Sequence, residues 1–293
     1  MFLKITNIFF PRTNSLIYKP YISFLSTTRN VSTKLPKEEN INVGSWNVNY
    51  LKVGNGPHNV LCMPGALGSI WTDFKPQVEG FNQDKFTLVA WDPPGYGKSR
   101  PPERDFPIDF YEKDADYAYQ FMKALNIPKY SLLGWSDGGI SSMILAAKYP
   151  DALNKLVVWG TNSFILPHEI DLYKKTKDIK SWSPRMRQPM IDVYGEELFA
   201  KYWIQWVEGM DELFKAKNGE ICSAMLKDIK CPTLILYGEK DPMVDTVHVS
   251  HLHTHITGSR IHLYPDGKHN IHLRYAEDFN KRVQEFLLLT SND

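Results

Sequence analysis

The 293-residue chain has little that would build a disulfide framework, a zinc site or a membrane anchor. Its three cysteines, Cys62, Cys222 and Cys231, are odd in number and show no CxxC or Cys/His ligand spacing. That argues against structural disulfides and zinc and for a reducing compartment. No apolar run is long enough to span a bilayer. Charge of neither sign dominates, since 34 lysines and arginines face 33 acids, so there is no basic field for nucleic acid and no acidic, disordered tail. Internal repeats and low-complexity tracts are missing too. What remains is the size and composition of one large α/β domain with an insertion. It is expected to act as a monomer on a small molecule, without nucleic-acid or membrane partners.

Acids are absent from the first 37 residues, where Lys4, Arg12, Lys19, Arg29, Lys34 and Lys37 are basic and serine and threonine are frequent. This is transit-peptide composition, and residues 1–37 are expected to direct mitochondrial import. A secretory signal would need a compact apolar stretch, which Arg12, Lys19, Pro11 and Pro20 interrupt.

From Val43 onward a candidate hairpin, SWNVNYLKVG, is followed by six short apolar runs ending in turn residues: NVLCMPG, TLVAWDPPG, YSLLGWS, KLVVWG, TLILYGEKD and RIHLYPDG. Helical patterns lie between and after them, at 109–125, 139–149 and 275–289. Apolar strands alternating with helices predict a mostly parallel sheet covered on both faces, with ligands at the strands' carboxyl ends. The rhythm stops at 161–227. That stretch is helical and aromatic, with Tyr173, Trp182, Tyr194, Tyr202, Trp203 and Trp206 among others. It reads as a cap inserted between core segments 41–160 and 228–293, most of its aromatics forming the cap's own core and one or two lining a pocket.

Gly134, Ser136 and Gly138 form G-x-S-x-G between a predicted strand and helix, the context in which a tight turn lifts a serine above a sheet. A serine hydroxyl needs a base, and the base an orienting carboxylate. His269 in DGKHNIH and Asp241 in GEKDPMV each follow a strand and supply the order Ser, Asp, His. Ser136 is thus the expected nucleophile, His269 the general base and then acid, and Asp241 the group that holds the imidazole tautomer. Glu239 and His272 are the nearby rivals for the last two roles. The loop MPGALGS is expected to supply one oxyanion donor through the Ala66 amide, paired with the amide of Asp137. Gly95 and Gly97 read as a structural turn on the same rim. His251, His253 and His255 alternate, but on a helix residues two apart point away from each other, so no metal site is expected there.

Together, PGALGS, AWDPPGYGKSRPP, LLGWSDGG, GEKDP and GKHN resemble the α/β-hydrolase superfamily, over roughly residues 41–290. More narrowly, GWSDGG with GKHN and the tryptophan-rich cap resemble the valacyclovir hydrolase (biphenyl hydrolase-like) group. The resemblance implies cleavage of α-amino acid esters without metal or organic cofactor. Ser136, Asp241 and His269 match the group's triad, and Asp137 matches its acid for the substrate amino group. The chemistry of Asp137 is consistent with that role. A carboxylate beside the nucleophile repels a developing oxyanion, and a substrate α-ammonium one carbon from the scissile carbonyl would neutralise it. Dianionic ketoacids, the substrates of carbon-carbon bond hydrolases, would meet Asp137 with like charge. Epoxide hydrolases and dehalogenases of this superfamily carry an acid where Ser136 stands. An aminopeptidase, or a ligand receptor on a hydrolase scaffold, stays open.

Overall fold

The computed structural model describes residues 36–290; the expected transit segment therefore lies outside the described residues, apart from Pro36 and Lys37. Eight strands form one sheet: β1 (Glu38–Val43), β2 (Trp46–Val53), β3 (His58–Met63), β4 (Phe86–Trp91), β5 (Tyr130–Trp135), β6 (Leu153–Trp159), β7 (Thr233–Gly238) and β8 (Arg260–Tyr264). Their order is β1-β2-β4-β3-β5-β6-β7-β8. Neighbours from β4 to β8 run parallel, while β1 and β2 add antiparallel at one edge. The central strands read as continuous apolar runs because both of their faces are covered. All six residues of β4 and of β7 are buried.

The connection leaves β3 for β4 on one side and returns to β5 on the other, so the strand order reverses between β3 and β5. A crevice opens at such a switch point, at the carboxyl ends of the strands. The loop after β3 and the turn after β5 both lie there, which is why residues 64–69 and Ser136 meet.

Two details differ from the sequence pattern. The hairpin does not lie within SWNVNYLKVG, whose Trp46–Val53 is a single strand; its partner is β1, with Val43 opposite Trp46 across a turn at Gly44. That strand was hidden because Glu38–Val43 carries only Ile41 and Val43 as apolar residues. Nor is β8 a fully covered strand: Ile261 and Leu263 are exposed, because β8 is an edge with β7 on one side only.

Between β6 and β7 lie helices Pro167–Lys175, Pro184–Tyr194 and Glu196–Lys217. The last of these buries Phe199, Tyr202, Trp203, Trp206, Met210 and Leu213, a stripe at spacings of three and four that presents one face inward. Trp182 packs edge-on against Phe199 and Trp203, and Trp203 stacks on Trp206 at 4.7 Å. Full burial of a ring such as that of Phe199 contributes about 1.5–3 kcal/mol by leaving water. The three cysteines are free and buried, and no helix among the described residues is long and apolar enough to cross a membrane.

Candidate active site

Ser136 sits between β5 and the helix Asp137–Lys148 with φ 54 and ψ −123, a conformation a non-glycine residue adopts only when its surroundings force it. Two glycines make the turn possible. A Cβ on Gly138 would lie 2.1 Å from the Met63 carbonyl oxygen, and one on Gly134 would lie 2.5 Å from Ser142 Oγ. Helix and strand therefore approach more closely than any other residue type permits.

The structure brings the three sequence-predicted side chains together. Ser136 Oγ is 3.1 Å from His269 Nε2, and His269 Nδ1 is 2.8 Å from Asp241 Oδ2. A carboxylate only accepts, so Nδ1 carries the proton and Nε2 is free to take one from Ser136. Asp241 is fixed by the amides of Met243 (2.8 Å) and Val244 (3.3 Å), which donate to its other oxygen. Trp135 Nε1 donates to the His269 carbonyl at 3.0 Å, and Gly160 lies so close that a Cβ there would come within 3.0 Å of His269 Nδ1. Burial disfavours the His269 imidazolium. The charge of Asp241 and its hydrogen bond outweigh that, helped by Asp137 and Asp73, and leave the pKa above the ordinary histidine value.

The rivals lie elsewhere. Glu239 is exposed. His272 is buried among aromatic rings and accepts the indole N–H of Trp159 at 2.9 Å, and burial pushes its pKa down to about 3. The alternating histidines fall on the helix Val247–His255, where His253 pairs with Ser259 and His255 with the His251 carbonyl. No three such ligands converge among the described residues.

Asp137 is the first residue of the elbow helix, and its side chain is buried. Tyr111 donates to one carboxylate oxygen at 2.9 Å and Trp206 Nε1 to the other at 2.7 Å. Burial raises the pKa to about 6 against those two hydrogen bonds. The nearby cation, Arg104, is claimed by Asp114 through two bonds of 2.7 and 2.6 Å. Asp137 thus has neutral donors and no ion-pair partner among the described residues. Sequence reasoning missed Tyr111 and Trp206, because no local pattern says which aromatic of a distant helix faces a given carboxylate.

Opposite Ser136, a β-turn runs from Gly65 to Gly68, closed by the Gly68 amide donating to the Gly65 carbonyl at 3.0 Å. A Cβ on Gly65 would meet Ser136 Cβ at 3.3 Å, so this turn flanks the nucleophile. Within the turn Leu67 holds a left-handed conformation, φ 58, that glycine adopts far more readily. Beneath the turn Asp73 accepts the Gly65 amide at 2.9 Å, and burial raises its pKa to about 7. Asp92 accepts the amides of Ile70 and Lys98, at 2.9 and 2.7 Å. The amides of Ala66 and Asp137 donate to no group among the described residues.

Residues 58–178 match the family model for the α/β hydrolase fold. The human protein named serine hydrolase BPHL is 48% identical over 245 residues, 84% of this chain and 84% of that protein. The chain belongs to the α/β-hydrolase family. It is a serine hydrolase of that fold, and the narrower likeness to the biphenyl hydrolase-like group read from its motifs is borne out. An Escherichia coli K12 protein named 2-hydroxy-6-oxononadienedioate/2-hydroxy-6-oxononatrienedioate hydrolase is 26% identical over 276 residues, covering 82% of this chain and 90% of that one. Among solved structures, the serine hydrolase CarC involved in carbazole degradation shares the fold at a TM-score of 0.72 with 20% identity, covering 87% of this chain and 100% of that one.

Proposed function

We propose that this hydrolase cleaves esters of α-amino acids through an acyl-enzyme on Ser136. The observation that carries the reading is Asp137: a buried carboxylate next to the nucleophile, held by Tyr111 and Trp206 and without an ion-pair partner among the described residues. A buried charge without an opposite charge is costly, and a substrate α-ammonium supplies what the chain withholds.

In the first step Ser136 Oγ attacks the ester carbonyl carbon while its proton passes to His269 Nε2. The carbonyl oxygen becomes an oxyanion held by the amides of Ala66 and Asp137. The intermediate collapses as His269 returns the proton to the leaving alcohol, which departs and leaves the aminoacyl group on Ser136. Water then repeats the sequence, its proton going to His269, and releases the amino acid. Asp241 stabilises the imidazolium in both halves. These steps need no metal or organic cofactor.

Dianionic ketoacids fit less well, because Asp137 meets them with like charge. The test is a turnover screen of aminoacyl esters beside their N-acetylated forms and the corresponding amides, with Ser136→Ala as control. Fast turnover of free-amino esters alone supports the reading. Preference for amides would make the protein an aminopeptidase, and tight binding without turnover would make it a receptor.

The basic, acid-free amino-terminal segment supports a mitochondrial location. A reporter fused behind residues 1–37 should enter mitochondria, and one that stays in the cytosol would refute this.

A further inference from the structure

The turn beside Ser136 is strained and held from three sides. Leu67 adopts φ 58 with its side chain fully buried, and a left-handed residue that is not glycine persists only where its neighbours over-determine it. Asp73 holds one end of the turn through the Gly65 amide, and the Gly68 amide closes it on the Gly65 carbonyl. The third hold comes from the cap. Tyr194, the last residue of the helix Pro184–Tyr194, donates its hydroxyl proton to the Leu67 carbonyl at 2.7 Å and accepts the Gly97 amide at 3.1 Å.

Tyr194 is itself placed firmly. The Arg100 guanidinium lies over its ring at 4.6 Å and donates to the Val193 carbonyl at 3.1 Å and to the Gly97 carbonyl at 2.8 Å. Burial keeps the Tyr194 phenol protonated, so it remains a donor. The peptide joining Leu67 to Gly68 is therefore pinned at its oxygen by Tyr194, and its N–H holds the Gly65 carbonyl, the oxygen of the very peptide that carries the Ala66 N–H, which itself has no partner among the described residues. The cap also reaches the other side of Ser136, where Trp206 holds the side chain of Asp137.

We propose that Tyr194 is a positioning residue for the oxyanion site: its hydroxyl fixes the Leu67 carbonyl, and through that peptide the direction of the Ala66 amide, so that the site is complete only when the cap is seated. The inference rests on the oxyanion role proposed above for Ala66. It gives the cap a part in the chemical step besides enclosing substrate.

The experiment compares the wild-type protein, Ser136→Ala and Tyr194→Phe on an α-amino ester and its N-acetylated counterpart. Tyr194→Phe keeps the ring beneath Arg100 and removes only the hydroxyl. It should lower kcat about tenfold on both esters, less than the hundredfold or more that deleting a donor costs. KM should stay within about twofold, as for an interaction made only in the transition state. Binding of an alkyl boronic acid, which forms a tetrahedral adduct on Ser136, should weaken by the same factor as kcat. Unchanged kcat, or a raised KM with kcat intact, would overturn the inference.

Should Tyr194→Phe fail to fold, amide exchange on the wild-type protein decides. Boronate should slow exchange in residues 66–69 and around Tyr194 together, because coupling between sites is reciprocal. Protection confined to the turn overturns the proposal. A wild-type protein that turns over no ester, or whose turnover survives Ser136→Ala, refutes the functional reading. Ser136-dependent turnover with an unaffected Tyr194→Phe refutes this inference alone.

Discussion

Trp206 donates its indole N–H to Asp137 across 2.7 Å, so a cap helix and the nucleophile turn meet at one carboxylate. That bond favours the ionised form of Asp137, whose pKa burial has raised to about 6. Trp206→Phe keeps most of the ring and removes the donor, so the pKa should climb further. Ammonium recognition needs the carboxylate, and kcat/KM for an α-amino ester should then reach its plateau at higher pH than in the wild type. The N-acetylated ester should show no such displacement. Identical displacement of both profiles would mean that the bond is structural.

Truncating the carboxylate itself gives the larger effect. Asp137→Ala should lower kcat/KM for an α-amino ester by about 2–4 kcal/mol, near the cost of removing one partner of a buried charge pair. The N-acetylated ester should lose little, or gain, since negative charge near its oxyanion disappears. Equal losses would place the effect in the Asp137 backbone amide, which both substrates share.

His269 and His272 should separate cleanly. The neutral imidazole is the competent base, and Asp241, Asp137 and Asp73 hold its pKa above the ordinary value of about 6.5. Activity on the N-acetylated ester should therefore rise with pH through a midpoint above about 6.5. Asp137→Asn removes one of the stabilising negative charges, so that midpoint should move down. His269→Ala should lower kcat by at least about a thousandfold. His272→Ala should leave kcat of the folded protein nearly intact while costing about 1–3 kcal/mol of stability, because the Trp159 indole loses its acceptor. If kcat collapses in His272→Ala and not in His269→Ala, the base is misassigned.

What could be read beforehand follows from the range of the interactions. The G-x-S-x-G turn, the strands that precede Asp241 and His269, and the aromatic stripe from Phe199 to Leu213 are local patterns, so the order of elements and the three reacting side chains were legible. Strand β1 was not, because an edge strand with two apolar residues has no periodic signature. Nor were Tyr111, Trp206 and Tyr194. Each acts on a residue 26, 69 or 127 positions away, and its aromatic character suits core packing equally well. Nor did the loop show that Leu67 takes a left-handed conformation, since strain imposed by distant contacts leaves no mark on residue type.

Asp73 provides a test of how the turn beside Ser136 is supported. Its carboxyl is buried, accepts the Gly65 amide and has a pKa of about 7, against about 3.9 in an unfolded chain. A group whose folded pKa lies above its unfolded one binds its proton more tightly when folded. Its contribution to stability is present below about pH 3.9 and is lost as pH rises through about 7. Across that window the loss is on the order of 3–4 kcal/mol. Asp92, Asp137 and His269 are raised too and slope in the same direction, so the wild type should be clearly less stable to urea at pH 8 than at pH 5. Asp73→Asn retains an acceptor for the Gly65 amide but cannot ionise. It should flatten that decline and be the more stable protein at pH 8, the difference narrowing at pH 5 and closing below about pH 3.9. Parallel stability curves for the two proteins would mean that Asp73 does not bear an ionisation cost in the folded state.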